Sequence, residues 1–269
     1  HIGVVHALDA AGVRVDGVTG TSAGCVVGAF FAADALRQLE YLTENHKSLR
    51  DTLNYVDFSY SSSGLFAGKK WVEYIKEYLP CRRFDELKIP LGIVAADLVT
   101  LQEIHIYEGA LLPAIRASIS VPGFWVPEEN GEWQLVDGGI LNPVPVNLAR
   151  KLGADVVIAV DLNTHFEHKK ATSVASVMDR TIEAMMQRIR QVNYEMYPAD
   201  VTIEPQLPDF GFMDYHRVRE AVTAGYDATQ ARMADIESAV KNPSAGSLSM
   251  VSLLERARSL IESVSFPGR

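Results

Sequence analysis

Apolar and polar positions divide the chain into short segments with two different periods. Apolar runs rich in β-branched residues, typical of strands, lie at 15–19, 90–99, 101–107, 133–136, 156–162 and 200–204. Apolar residues at helical spacing mark 2–11, 23–36, 69–79, 110–120, 143–152, 177–196 and 216–240. Because strands and helices alternate along the chain, the pattern predicts an α/β fold in which helices cover both faces of a mainly parallel sheet.

Two stretches depart from this alternation. Residues 54–68 (NYVDFSYSSSGLFAG) combine serine and glycine with aromatic side chains, which predicts a long loop or lid. Residues 242–246 (NPSAG) predict a linker, and an apolar stripe at helical spacing follows it from Met250 to Val264. We therefore expect a catalytic domain over 1–240 and a linker with a C-terminal amphipathic helix over 241–269. Docking on its own domain is the usual role of such a helix, and a homodimer contact or a membrane surface are the alternatives.

Composition narrows the classes of protein. At 269 residues and 48% hydrophobic, the chain can bury the core of a single α/β domain. A formal net charge of −9 argues against a nucleic-acid partner, which needs a basic face, and disfavours tight docking on strongly anionic membranes. Two cysteines make neither a disulfide framework nor a metal-ligand cluster. Since no apolar run is as long as a membrane span, we expect a cytoplasmic protein, at most peripheral at the membrane.

The sequence G-T-S-A-G lies between the first predicted strand and the helix that follows it. In that context G-x-S-x-G predicts a nucleophile elbow, a turn so sharp that only glycines fit on either side of the serine. The Ser22 hydroxyl would then lie beside the free N–H of Ala23 at the helix N-terminus, where developing negative charge is stabilised. Such geometry suits acyl transfer. The competing interpretation is a glycine-rich turn in which Ser22 caps a buried helix.

A serine nucleophile needs a base, and the residues leave two kinds of candidate. In a Ser-His-Asp arrangement, the chain order serine, acid, histidine is satisfied by two acids and two histidines after Ser22. These are Asp137, Asp161, His165 and His216. Asp137 alone is the second kind, because it ends a predicted strand at a D-G-G turn and would lie at the same edge of a parallel sheet as Ser22. Asp-Gly is also a common turn dipeptide, so the residues alone leave these readings open.

Four stretches together resemble the patatin-like phospholipases, and among them the bacterial proteins related to neuropathy target esterase. They are G-T-S-A-G at 20–24, I-R-A-S-I-S-V-P-G-F at 115–124, L-V-D-G-G-I-L-N-P-V-P-V at 135–146 and L-G-A-D-V-V-I-A-V-D at 152–161. Their order and spacing agree with the family, and the resemblance resumes near 214–225. The fold it implies is a three-layer α/β/α patatin-like sandwich.

The resemblance also implies a catalytic pair without histidine. Ser22 would be the nucleophile and Asp137 the base that takes its proton. Further motif residues would shape the two turns and contribute backbone to the oxyanion site: Gly20, Ala23, Gly24, Gly138 and Gly139.

The activity implied by the resemblance is hydrolysis of a phospholipid or lysophospholipid ester through an acyl-enzyme. No cofactor, no metal and no nucleic acid are implied, and membrane contact would be transient. Two other functions fit the same sequence. One is a Ser-His-Asp esterase, and the other is a lipid-binding or regulatory protein that keeps the fold without turnover.

One element of the family pattern is absent from this sequence. In the family a glycine-rich G-x-G-x-[RK]-G loop follows the first strand, and its N–H groups form the oxyanion hole. Here the chain begins at His1 with a helical apolar pattern already under way. We therefore expect the natural polypeptide to extend upstream by a strand and this loop.

Overall fold

The computed structural model describes residues 1–44, 57, 59, 63–162, 170–207, 210, 214 and 217–243. Its helices are α1 (Ile2–Ala10), α2 (Ala23–Ala32), α3 (Leu36–Glu44), α4 (Lys69–Tyr78), α5 (Leu111–Ser118), α6 (Val146–Lys151), α7 (Val174–Met196), α8 (Val218–Ala231) and α9 (Met233–Lys241). Its strands are β1 (Val18–Thr21), β2 (Gly64–Phe66), β3 (Leu91–Asp97), β4 (Glu103–Ile106), β5 (Gly123–Trp125), β6 (Glu128–Asn130), β7 (Trp133–Asp137), β8 (Ile158–Val160) and β9 (Val201–Ile203). Short 3-10 turns lie at Phe84–Glu86 and Gly138–Ile140.

The largest sheet is built around β3, which is buried along its whole length. Parallel pairing joins β1 to β3, β2 to β5, and β8 to β9. Antiparallel pairing joins β3 to β4, β3 to β7, and β6 to β7, which makes the five-stranded sheet mixed. The strand β4 is antiparallel because the few residues between β3 and β4 are enough for a hairpin and too few for a crossover helix.

Helices cover both faces of this sheet. Successive residues of a strand face opposite sides, and in β3 the side chain of Leu91 lies against Gly28 of α2 while Gly92 lies against Leu148 of α6. The helix α5 packs on β3 beside α2, and α7 packs on the turn that follows β7. The predicted α/β fold with three layers is therefore confirmed.

Several predicted boundaries differ from the observed ones. The predicted helix over 23–36 divides into α2 and α3, because Asp34 takes a left-handed conformation (φ 56°) that a helix cannot contain. The predicted helix over 216–240 likewise divides into α8 and α9. Within the predicted loop over 54–68, residues 64–66 form β2, because they pair with β5. The run over 156–162 was expected to lie centrally in a parallel sheet, whereas among the described residues β8 pairs with β9 alone.

Other predictions concern residues outside the described ranges. The C-terminal stripe over 250–264 is one, and the aromatic residues Phe58 and Tyr60 of the predicted lid are others. Within the described part of the chain, no helix combines the length and the apolar character needed to cross a membrane.

Among the helices that the structure describes, α1 and α8 make the most extensive contact. At their crossing, a Cβ on Gly3 would lie 1.8 Å from the carbonyl oxygen of Val222 and 2.7 Å from the nitrogen of Tyr226. Both obstructing atoms belong to backbone and cannot move aside by a rotamer change. Only glycine therefore permits this approach.

We predict that Gly3→Ala lowers the free energy of unfolding by about 1–3 kcal/mol, since the added methyl group forces the two helices apart. Urea denaturation measures this change. The matched control is Gly17→Ala, where a Cβ would meet Pro90 at an ordinary 3.5 Å. Equal destabilisation by the two substitutions would mean that the close approach of α1 and α8 is not what Gly3 provides.

Candidate active site

Ser22 forms the turn between β1 and α2 and takes an unusual backbone conformation. Its φ of 53° and ψ of −127° are rarely adopted by residues other than glycine. Its side chain is partly accessible, and the helix begins at the next residue. A strained serine between a strand and a helix is the geometry of a nucleophile elbow.

The glycines beside Ser22 have different roles. A Cβ on Gly20 would stand 2.5 Å from the backbone carbon of Gly24, so no larger residue fits there. A Cβ on Gly24 would meet the ring of His1 at 3.5 Å, which is an ordinary contact. The prediction that only glycine fits is therefore confirmed for Gly20 and wrong for Gly24.

The strands β1 and β7 meet end to end beside β3. One edge is taken by β4, which pairs with residues 93–96. Because a strand has only two hydrogen-bonding edges, β1 at 91–94 and β7 at 95–97 must share the other. The two run in opposite directions, so their carboxyl ends meet beside Val94 and Ala95. This brings together Ser22, which follows β1, and Asp137, which ends β7.

The predicted strand arrangement that would bring Ser22 and Asp137 together was therefore wrong. Asp137 was expected at the edge of a parallel sheet, beside the end of a strand with the same direction as β1. Instead β7 is antiparallel to β3. The two residues meet because the strands that carry them point towards each other.

The Asp137 carboxylate is buried and hydrogen-bonded. The Ser22 hydroxyl lies near enough to lower its pKa, and Gly139 N donates to Oδ1 at 2.8 Å. Burial raises the pKa of Asp137 to about 6, because the ionised form loses its hydration. The Ser22 hydroxyl and the Gly139 N–H both favour the ionised form, which limits the rise in pKa. A carboxyl group with this pKa is ionised near neutral pH and is a stronger base than an ordinary aspartate.

The two glycines after Asp137 shape its turn. A Cβ on Gly138 would lie 2.5 Å from the carbonyl oxygen of Val94, so the chain passes β3 at a distance that only glycine allows. The N–H of Gly139 is bound to Asp137. Gly139 therefore orients the carboxylate rather than offering its N–H to an oxyanion.

The helix N-terminus leaves donors beside Ser22. The N–H of Ser22 itself is bound to Ser118 Oγ at 3.0 Å. Among the described residues, the N–H groups of Ala23 and Gly24 have no backbone or side-chain acceptor, and Ala23 is exposed. The first N–H groups of a helix are the usual anion-binding donors. The N–H of Ala23 is therefore in the predicted position.

Ser118 lets the chain leave the sheet at Ser22, although no pattern in the sequence singles it out. The Ser118 hydroxyl accepts from Ser22 N and donates to the carbonyl oxygen of Val94 at 2.6 Å. The hydroxyl thus bonds to the last N–H and carbonyl groups of the hydrogen-bond ladder between β1 and β3. Ser118 lies in the 115–124 motif, but only the structure shows which of its side chains reaches the turn.

Two further polar residues support the site from either side. Ser120 accepts Asp137 N at 2.9 Å through its carbonyl oxygen, and its hydroxyl bonds with the buried Arg116 guanidinium. Asn142, also buried, accepts the hydroxyl of Thr21 at 2.8 Å and donates its own N–H to Gly138. The residue before Ser22 and the turn after Asp137 are therefore tied together by Asn142.

The helix α7 lies over the Asp137 turn and binds Asp161, the other aspartate considered for a Ser-His-Asp arrangement. Met186 contacts Gly139, and Asn193 donates to the carbonyl oxygen of Leu141 at 3.1 Å. Asp161, fully buried, accepts from Arg190 at 2.5 Å and from the Tyr194 hydroxyl at 3.1 Å. Asp161 thus anchors α7.

The ring of His1 lies beside Gly24, but no histidine among the described residues hydrogen-bonds to Ser22 or Asp137. His165 and His216 lie outside the described residues, and His105 is bound to Glu103 at 2.6 Å in β4. No three His, Cys, Asp or Glu side chains come together as a metal site within the part of the chain that the structure describes. Cys25 and Cys81 are buried free thiols.

Comparison with known proteins matches the region that contains this site. The family model described as patatin-like phospholipase matches residues 1–150. An uncharacterized NTE family protein of Mycobacterium tuberculosis is 36% identical over 163 residues, covering 61% of this chain and 45% of that protein. Human patatin-like phospholipase domain-containing protein 6 is 33% identical over 178 residues, covering 64% of this chain and 13% of that protein.

The chain thus spans less than half the length of these relatives. Among solved structures, VipD from Legionella pneumophila aligns over 86% of this chain and 63% of its own, with a TM-score of 0.46 and 14% identity. The family model covers more than half of the chain, including Ser22, Asp137 and the strands that carry them. The chain belongs to the patatin-like phospholipase family.

Proposed function

We propose that this protein is a lipid acyl hydrolase that uses Ser22 as nucleophile and Asp137 as its general base. The observation that carries the proposal is the approach of Ser22 to the buried Asp137 carboxylate where the ends of β1 and β7 meet. A nucleophile beside a base with a raised pKa is the arrangement that covalent catalysis requires. Family membership supports lipid esters as the substrate class.

The proposed reaction has two steps. Ser22 Oγ attacks the ester carbonyl of a phospholipid or lysophospholipid as Asp137 takes its proton, and the proton then passes to the departing alcohol. Water, activated by the same carboxylate, attacks the acyl-serine, and the fatty acid leaves as Ser22 recovers its proton. In both steps the negative carbonyl oxygen would be stabilised by the N–H of Ala23 at the positive end of α2.

We predict that Ser22→Ala and Asp137→Asn each lower kcat for a soluble ester by about 10³–10⁴-fold or more, because each removes a member of one catalytic unit. The double variant should be no slower than either single variant. Initial rates with p-nitrophenyl esters measure this. Near-normal turnover by Asp137→Asn would contradict the role of Asp137.

A fluorophosphonate probe separates this mechanism from its competitors. We predict covalent labelling at Ser22 in the parent protein and in a variant that carries glutamine at His1, at His216, at His165 and at His168, which is three residues from His165. Loss of labelling in the glutamine variant alone would indicate a Ser-His-Asp esterase. Absence of labelling in the natural full-length protein would favour a lipid-binding protein without turnover.

The raised pKa of Asp137 leads to a pH prediction. The base form is lost as pH falls through about 6, so kcat/KM should be constant above this pH and decline about tenfold per pH unit below it. Rates between pH 4 and 8 in the parent and in the glutamine variant measure this decline of kcat/KM. Since histidine also titrates in this range, loss of the decline in the glutamine variant would contradict the role of Asp137 as the base.

The same pKa has a consequence for stability. The ordinary aspartate pKa is 3.8, and folding raises it to about 6, so Asp137 contributes stability below pH 4 that is lost as pH rises through 6. Asp137→Asn carries no charge at any pH. We predict that its Tm at pH 8 equals or exceeds that of the parent. A lower Tm at pH 8 would mean that the ionised carboxylate stabilises the fold.

A further inference from the structure

The turn between β3 and β4 presents large apolar side chains to solvent. Leu98 is 40% exposed, Val99 62% and Leu101 72%. We call residues 98–101 the apical turn. Scattered exposed aliphatic residues are common on protein surfaces, but three within one four-residue turn form a projecting apolar group.

The apical turn is held in a fixed shape by a buried carboxylate. Asp97, only 1% exposed, accepts from Thr100 N at 2.8 Å and Thr100 Oγ1 at 2.6 Å through one oxygen, and from Gln134 N at 2.8 Å through the other. Leu101 has a φ of 60°, where glycine or asparagine is the favoured residue. Folding alone therefore favours a polar residue or glycine at a position where this chain has an exposed leucine.

The N-terminal half of α7 presents a second apolar surface. Val174, Val177, Met178 and Met185 lie on one side of the helix and are each at least half exposed. We call these four residues the α7 stripe. A shallow open groove of about 510 Å³ lies along one side of the stripe, where Val177, Met185, Arg180 and Arg188 are among the residues that line it.

The apical turn and the α7 stripe both lie beyond the end of β1 that carries Ser22. β3 runs parallel to β1 and continues past the level of Ser22 before it turns. After Gly139 the chain runs back along β1, because Asn142 bonds to Thr21 and Pro145 to Thr19. Along α7, Met186 contacts Gly139 and Asn193 contacts Asn142, so α7 also runs opposite to β1. Its first twelve residues, about 18 Å of helix, thus extend beyond Ser22.

We propose that the apical turn and the α7 stripe dock the protein on the surface of a zwitterionic phospholipid bilayer. This proposal rests on the proposed function, because it names the surface from which the ester substrate would be drawn. Fluid acyl chains fill the space around separate aliphatic projections. Protein interfaces are instead anchored by aromatic or arginine residues near their centre, and the four residues of the apical turn include none.

Charge favours a zwitterionic surface over an anionic one. Glu129 and Glu132 lie on the β6–β7 hairpin, whose strand β7 adjoins the end of β3 at the apical turn, and the whole chain carries a net charge of −9. These charges repel an anionic leaflet. Arg188, beside the α7 stripe, is placed to meet headgroup phosphate, as basic residues do at the edge of an interfacial helix.

The test is flotation of the full chain, in a Ser22→Ala background, with vesicles of pure phosphatidylcholine. The turn variant carries Leu98→Ser, Val99→Ser and Leu101→Asn, and the helix variant carries Val174→Ser, Met178→Gln and Met185→Gln. Val240→Ser, a half-exposed aliphatic position on α9, is the matched control. Because the nucleophile is absent, flotation reports docking independently of the ester assays that test the proposed function. Equal Tm values in all four proteins exclude unfolding as a cause.

We expect the Ser22→Ala parent to float and each surface variant to lower the partition coefficient about tenfold or more, while the control stays within about twofold. Failure of the parent to float overturns the proposal, as does undiminished flotation of both surface variants or equal loss in the control. Binding that requires phosphatidylserine overturns the zwitterionic assignment. A parent that is dimeric without lipid and becomes monomeric in the variants would make these surfaces a subunit interface instead.

Discussion

The arrangement of the site depends on one edge of β3 being shared by two strands that end against each other. β1 ends opposite Val94 of β3 and β7 ends opposite Ala95, so neither strand has room to continue. The chain must leave the sheet at both ends, and it does so at Ser22 and at Asp137. The Ser118 hydroxyl fills the end of the ladder, which would otherwise leave the Ser22 N–H and the Val94 carbonyl oxygen without partners.

This constraint explains the residues around the two ends better than the motif letters do. Gly20 and Gly138 lie where another backbone passes within 2.6 Å of a Cβ position, so their small size is a packing requirement. Burial of Asp137 between the strand ends keeps water away from the carboxylate, and the same burial raises its pKa. The geometry that brings acid and serine together is therefore also the geometry that makes the acid a competent base.

Local pattern predicted most elements but could not predict how strands far apart in sequence would pair. Periodicity located β3, β4, β7, α4 and α5 closely, because each has a regular apolar pattern and a clear stop. The apolar pattern does not encode strand direction, because β7 would bury the same residues whether it ran parallel or antiparallel to β3. Hence Ser22 and Asp137 could be chosen from the motifs that contain them, whereas Ser118 and Met186 could not, since they reach the site only through tertiary packing. Asp34 divides a helix without any glycine or proline to signal it.

The close approach of α1 and α8 at Gly3 also constrains the order of folding. Its two partners are separated by roughly 200 residues of chain, a separation that slows the formation of a contact. During synthesis from the N-terminus, α1 therefore emerges long before the helix against which it packs. Its apolar residues Val4 and Leu8 pack in one cluster with Val201, Ile203 and Ile236, so they remain uncovered until almost the whole domain has been made. Closure of this first helix is thus expected to be among the last events of folding.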